Sequence, residues 1–185
     1  MTKCKSCGGV NTNIQTVAKF DASGLLGSPF KVFMHNAVKE KVCADCGEVL
    51  GHIVPMPEKL IAVAAIVRAC DARKLNGDEI KFLRKSLCLK SKILAERLGV
   101  SPEQFSRFEN NKIVISEVYE KLLRGEVCLH HLENVQHIDV DIRDVIGMSI
   151  KSAYSISKPF VLDLAPITVT DDQQVRKWQN QRQVA

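Results

Sequence analysis

The stretch Ser91-Lys-Ile-Leu-Ala-Glu-Arg-Leu-Gly-Val-Ser-Pro-Glu-Gln-Phe-Ser-Arg-Phe-Glu-Asn110 reads as two short helices joined by a tight turn, over about 91–98 and 102–109. Ala95 is small, as a close helix crossing requires. Gly99 suits the left-handed residue that closes a helix, and Val100 is an apolar plug in the turn. Ser101 is a good N-cap, Pro102 falls at the first helical position and Gln104 at the third, which completes a capping-box pattern. Leu94, Leu98, Phe105 and Phe108 supply the buried seam. A plain three-helix core uses such residues too, but seldom all of them in this register.

Burying Phe105 and Phe108 turns Glu103, Gln104, Ser106 and Arg107 outward on the second helix. Side chains of these types read base edges in a major groove, and arginine pairs bidentately with guanine. Asn110, Asn111 and Lys112 follow at the end of that helix, where they can hold a phosphate. The hydroxyl and amide groups of Ser91 and Ser101, each opening a helix, can do the same.

Upstream, Cys4-Lys-Ser-Cys7-Gly8 and Cys43-Ala-Asp-Cys46-Gly47 are two Cys-x-x-Cys pairs. Two residues between thiolates let one turn aim both sulfurs at a single ion. Two such turns make a closed tetrahedral site of the structural kind, for which Zn²⁺ is the expected metal. The glycine after each pair fits a turn that needs positive φ. The alternatives are two disulfides or a redox dithiol, though the latter calls for a βαβ pattern that is missing around either pair.

Composition narrows the class. The chain has 185 residues, 45% hydrophobic and 25% charged, as in a globular protein of one or two domains. No apolar run approaches the ~20 residues of a membrane span. Met1-Thr-Lys-Cys4 lacks an apolar signal region, so a cytoplasmic, reducing location is expected for its seven cysteines. Cys70, Cys88 and Cys128 are expected to pack as small hydrophobes. The net charge is +5, and residues 58–125 alone carry fourteen Lys/Arg against nine Asp/Glu. That bias suits a phosphate-rich partner.

The expected fold is α+β. A small β-rich, zinc-ribbon-like domain over 1–56 has strands near Val32–Val42 and Val49–Val54 and ends at Pro55-Met56-Pro57. An all-α domain over 57–125 follows. It begins with an apolar stripe of Leu60, Ala64, Val67 and Cys70 to Ala72, then a helix capped by Asp78, with Lys81, Arg84 and Lys85 facing out. A last helix is expected at about 115–124. The third segment, 126–185, is a C-terminal extension suited to dimerisation. Within it, Val135 to Val145 fits helix or strand and Pro159–Thr170 looks extended. Asp171–Ala185 has the polar, Gln-rich composition of a disordered end.

With the cysteine pairs in front, Asp78–Leu87, Leu94–Ser101 and Phe105–Lys112 resemble the Xre-type, lambda-repressor-like helix-turn-helix. Together the parts resemble the zinc-finger/helix-turn-helix regulators of the MqsA antitoxin family, over residues 1 to about 125. That resemblance implies a bacterial or phage regulator of transcription, bound as a homodimer to an inverted repeat in double-stranded DNA. It implies Cys4, Cys7, Cys43 and Cys46 as zinc ligands and Arg107 as leading base contact, with Glu103 and Gln104 beside it. Where such domains often open the first helix with Ser/Thr-Gln, this chain has Lys90-Ser91, so Lys90 or Lys92 would supply the phosphate contact as charge.

Cys128, His130, His131 and His137 match no common zinc spacing, and Asp139, Asp141 and Asp144 read as a solvated face. No Ser/His/Asp set, glycine-rich phosphate loop or HExxH is present, so no enzyme is expected. The rival to a plain DNA-binding regulator is an antitoxin whose zinc domain binds a toxin protein and whose helix-turn-helix autoregulates. A zinc ribbon acting on RNA would need aromatic platforms, and the chain has one Trp and two Tyr.

Overall fold

The N-terminal residues pair as a sheet whose register brings the two cysteine turns together. β1 (Thr12–Asp21) runs antiparallel to β2 (Lys31–Cys43), with Thr12 opposite Cys43 and Asp21 opposite Phe33. Between them, a one-turn helix, α1 (Ser23–Leu26), ends on Gly27 at φ 59°, where only a glycine sits without strain. β3 (Val49–Ile53) pairs antiparallel with the C-terminal half of β2. The chain is described here from a computed structural model over residues 3–132, 135, 140–152, 159–168 and 175–180.

Two more strands arrive from the far end of the chain. β4 (Val161–Thr168) lies parallel to the N-terminal half of β2, with Lys31 opposite Val161. β5 (Val175–Asn180) runs antiparallel to β4. The sheet order is β1-β2-β4-β5, with β3 sharing the β4 side of β2. The extended reading of Pro159–Thr170 therefore becomes β4. The composition of Asp171–Ala185 pointed to disorder, yet β5 forms within it, because backbone pairing with β4 does not require an apolar sequence. Residues 171–174 and 181–185 lie outside the described residues, as do His137, Ile138 and Asp139.

Among the described residues, the helices share one apolar cluster with the sheet. α2 (Pro57–Cys70) buries Leu60, Ala62, Val63, Ala64, Ala65, Ile66 and Ala69. Its apolar residues thus go almost all round rather than along one stripe, as in a central helix, and it stops at Cys70 rather than Ala72. Val32 and Met34 of β2, Leu162 and Leu164 of β4 and the buried face of α2 belong to one cluster. Phe30 joins the layers: its ring centroid is 5.3 Å from Phe82 and 4.8 Å from Phe160, edge-on to both.

α3 (Gly77–Ser86) is capped by Asn76, not Asp78. Asn76 accepts from the Glu79 amide, and Glu79 accepts from the Asn76 amide, a complete capping box. Asp78 remains in the first turn, where its charge suits the helix dipole. Gly77 is needed for packing: a Cβ there would sit 2.6 Å from the carbonyl oxygens of Phe108 and Glu109. α4 (Ser91–Leu98) and α5 (Pro102–Glu109) match the expected spans. α6 (Glu117–Leu132) runs through Gly125 and two turns beyond the expected end, because the burial of Leu123, Arg124, Val127 and Cys128 on either side of it outweighs the weak helix propensity of glycine. α7 (Ile142–Gly147) follows and packs on α6.

Two buried guanidiniums tie these helices together. Arg68 of α2 donates to both carboxylate oxygens of Glu79, at 2.7 and 2.9 Å. Arg124 of α6 donates to Glu120 Oε1 at 2.7 Å and to the carbonyls of Ala69, Asp71 and Arg73 at 2.6–2.7 Å. It thereby satisfies the orphan carbonyls at the end of α2. Glu120 also accepts the Leu75 amide and lies 2.7 Å from Lys74 Nζ. Arg68, Arg124 and Glu120 are at most 1% exposed.

Removing Arg124 leaves the Ala69, Asp71 and Arg73 carbonyls without its donors and takes from the buried Glu120 one of its cationic partners. Arg124→Met is expected to cost about 3–5 kcal/mol of stability, whereas an exposed change such as Lys81→Met should be nearly neutral. Urea unfolding followed by circular dichroism measures both.

Candidate functional site

The two cysteine turns are built alike. Gly8 accompanies the first pair and Gly47 the second, each at φ 76°. In each turn the amide of the glycine donates to the carbonyl of the first cysteine, Gly8 to Cys4 at 2.9 Å and Gly47 to Cys43 at 3.0 Å. The turns precede β1 and link β2 to β3. The Thr12–Cys43 register then sets them face to face.

Cys4 Sγ lies 3.7 Å from Cys46 Sγ, and Cys7 Sγ lies 3.6 Å from Cys43 Sγ. All four sulfurs fall within 4.8 Å of one another. A metal–sulfur bond of ~2.3 Å in a tetrahedron sets the sulfurs about 3.8 Å apart, so the donor set fits a four-thiolate ion. Cys4 and Cys43 are buried, and Cys7 and Cys46 are exposed. The amides of Cys7 and Ser6 lower the Cys4 pKa to about 7. The Glu48 amide acts the same way on Cys46, but the neighbouring Cys7 sulfur and burial outweigh it and raise Cys46 to about 12. Among the described residues these four cysteines are the one group of three or more His, Cys, Asp or Glu side chains arranged to hold a metal.

The second site is the outer side of α5. Gly99 closes α4 in the left-handed region at φ 70°, and its amide donates to the Glu96 carbonyl at 3.2 Å. Ser101 Oγ accepts from the Gln104 amide at 3.1 Å. Gln104 does not return that bond, so the expected capping box is half formed; the complete one belongs to α3. Phe105 and Phe108 are buried, with rings 6.3 Å apart and edge-on. Glu103, Ser106, Arg107, Asn110, Asn111 and Lys112 are exposed, as are Lys92 and Ser101, while Gln104 and Ser91 are half-buried.

These side chains are not equally free. Ser91 Oγ donates to Glu109 Oε2 at 3.1 Å, and Glu109 takes Arg84 Nε at 2.6 Å. Arg84 therefore does not face out: it braces α3 to α5, and Ser91 adds α4 to the brace. Asn111, at φ 56°, accepts the Gly77 amide at 2.6 Å and anchors the start of α3. Asn110 Nδ2 donates to the Ser106 carbonyl at 2.7 Å. Among the described residues, Arg107 and Lys112 make no ion pair. The Arg84–Glu109–Ser91 brace left no trace in the sequence pattern, since charged residues on short helices ordinarily face water.

The weaker groups resolve into packing. Cys128 meets Cys70, and His131 is buried with Nε2 3.1 Å from Ser86 Oγ. Cys88 is exposed at φ 56° rather than packed in the core. Asp141 caps α7 through the Arg143 amide. No described helix is long and apolar enough to cross a membrane.

Compared with known protein families, curated proteins and solved structures, the chain matches none of them.

One bound metal ion per chain is expected. Cys43→Ser should release it and loosen β1–β3 while α2–α6 stay helical; elemental analysis with circular dichroism reads both parts, and metal-free protein purified without chelator would defeat the assignment. A second expectation concerns pH. Burial first, and then the nearby His130, lower the His131 pKa to about 4. An unfolded histidine titrates near ~6.5, so the unfolded chain binds a proton that the native one refuses. Stability from this group is full above pH ~6.5 and falls until pH ~4, by about 3 kcal/mol in all. His131→Gln should flatten that slope in urea unfolding at pH 7 and 4.5.

Proposed function

We propose that this protein is a sequence-specific DNA-binding regulator of transcription in which α4 and α5 form a helix-turn-helix and a structural zinc, held by Cys4, Cys7, Cys43 and Cys46, organises the N-terminal strands. One observation carries this reading. α5 is fixed on its inner side by Phe105, Phe108 and Glu109, and it presents Arg107 to solvent between Glu103, Ser106 and Asn110. A helix braced on one side and polar on the other meets the requirement for base readout, which is a rigid backbone with free hydrogen-bonding side chains. Lys112 and Lys92 flank it with positive charge that suits phosphates. Ser91 and Asn111 act as positioning residues, since their side-chain oxygens already have partners.

The protein acts as a homodimer on an inverted repeat. α6 supports this: Val118, Leu122 and Leu129 are exposed on one side of it, with Val114 just before it. Spacings of four and seven residues align them into an apolar stripe. Half-sites would then lie about one turn of DNA apart, ~34 Å.

The test is a binding titration against selected and scrambled duplexes at stated salt. Arg107→Ala should cost about 1–3 kcal/mol on the selected duplex and relax preference at one base pair per half-site. Lys112→Ala should weaken both duplexes alike and reduce the salt slope by about one unit. Sedimentation should find two chains per duplex. Unchanged affinity and preference in Arg107→Ala would remove α5 as the reading element.

A further inference from the structure

Cys70 is the last residue of α2, and Cys128 stands in the middle of α6. Their sulfurs are 4.0 Å apart where the two helices pack. Cys128 is buried and Cys70 half-buried, so Cys70 is the more accessible residue of the two. A disulfide bond is ~2.05 Å long, so bond formation has to close the gap by about 2 Å. We propose that Cys70 and Cys128 form a reversible dithiol–disulfide site, oxidised by a small hydroperoxide, that staples α2 to α6.

The surroundings assign a role to each sulfur. Arg124 stands one helical turn before Cys128 on the same side of α6, and its guanidinium is bonded to the Ala69 and Asp71 carbonyls on either side of Cys70. The Cys128 thiol and the charge of Arg124 both favour the Cys70 thiolate, whereas Cys128, sharing that hydrogen bond and buried, keeps its proton. Cys70, the less buried residue and the one flanked by the carbonyls that Arg124 holds, is thus assigned as the attacking sulfur and Cys128 as the resolving one.

The chemistry balances with hydrogen peroxide as oxidant. The Cys70 thiolate attacks one peroxide oxygen; the O–O bond breaks, hydroxide leaves and is protonated, and Cys70 becomes a sulfenic acid. Cys128 sulfur then attacks Cys70 sulfur. The S–S bond forms, the S–O bond breaks, and water departs with the proton from Cys128. Two thiols lose two electrons, and one peroxide becomes two waters. A thiol reductant reverses the change. The bond would join positions 58 residues apart, a long loop whose closure restricts the unfolded chain. It also locks the helix pair that Arg124 already holds. Cys88 is exposed.

The test uses the full chain with its metal. Protein treated with a small excess of hydrogen peroxide is alkylated, digested with trypsin without reduction and analysed by mass spectrometry. The expected product links peptide 69–73 to peptide 125–143, disappears on reduction, and raises Tm by roughly 5–10 °C. Cys128→Ser, checked for folding by circular dichroism, should leave Cys70 as a sulfenic acid trapped by dimedone, which wild type should trap several-fold less. Alkylated Cys128 persisting while Cys70 goes on to sulfinic acid in wild type would overturn the proposal. So would equal dimedone trapping in the two proteins.

Discussion

The guanidinium of Arg124 is the constraint on which the helical part depends. It occupies the point where α2 ends, the 71–75 segment turns and α6 passes, and it closes carbonyls from two of these pieces at once. Glu120 neutralises it from the same helix, and Arg68 with Glu79 repeats the arrangement one step away at the start of α3. A buried ion pair contributes little net stability against apolar residues of the same size. Its effect is selective: only one placement of α2, α3 and α6 satisfies both carboxylates and every carbonyl. Phe160, arriving with β4, stacks below both Arg68 and Arg73, at 5.3 and 4.7 Å from the ring centroid. The C-terminal segment thereby joins the same point.

That placement carries through to α5. With the Asn76 cap fixed by Glu79, the first residues of α3 approach the end of α5 so closely that Gly77 must lack a side chain. Asn111 accepts the Gly77 amide from the other side, and Arg84 reaches Glu109. These contacts all act on the inner side and C-terminal end of α5. What is left outside is a row of polar side chains and Arg107, which makes no ion pair among the described residues, on a helix braced from within. The rigidity of the outer face thus comes from residues that face away from it.

The cysteines divide by environment rather than by sequence. Four sit in two glycine-turned loops, with amide donors around them, and converge as a donor set. Cys70 and Cys128 meet inside a helix packing, beside a cation. The first arrangement gathers four sulfur donors at the spacing that a metal ion needs. The second sets two sulfurs of unequal burial side by side, an asymmetry that exchange chemistry uses.

The local patterns were legible because they are short-range. Two-residue cysteine spacing, a glycine at a left-handed turn, a serine N-cap before proline and the alternation of apolar residues over α4 and α5 each follow from backbone geometry within a few residues. The sequence alone therefore determined the cysteine group, the spans of α4 and α5, the buried phenylalanines and an extended segment near 161–168. It did not determine partners across the chain. That Arg84 and Ser91 turn inward to Glu109, that Asn111 serves α3, and that α6 runs through Gly125 depend on neighbours far away in sequence. The same holds for β4 pairing with β2 across more than a hundred residues, and for β5, whose polar composition carries no strand signal. Hydrogen-bond partners and buried charges are chosen by proximity in three dimensions, and only the tertiary structure brings those groups together.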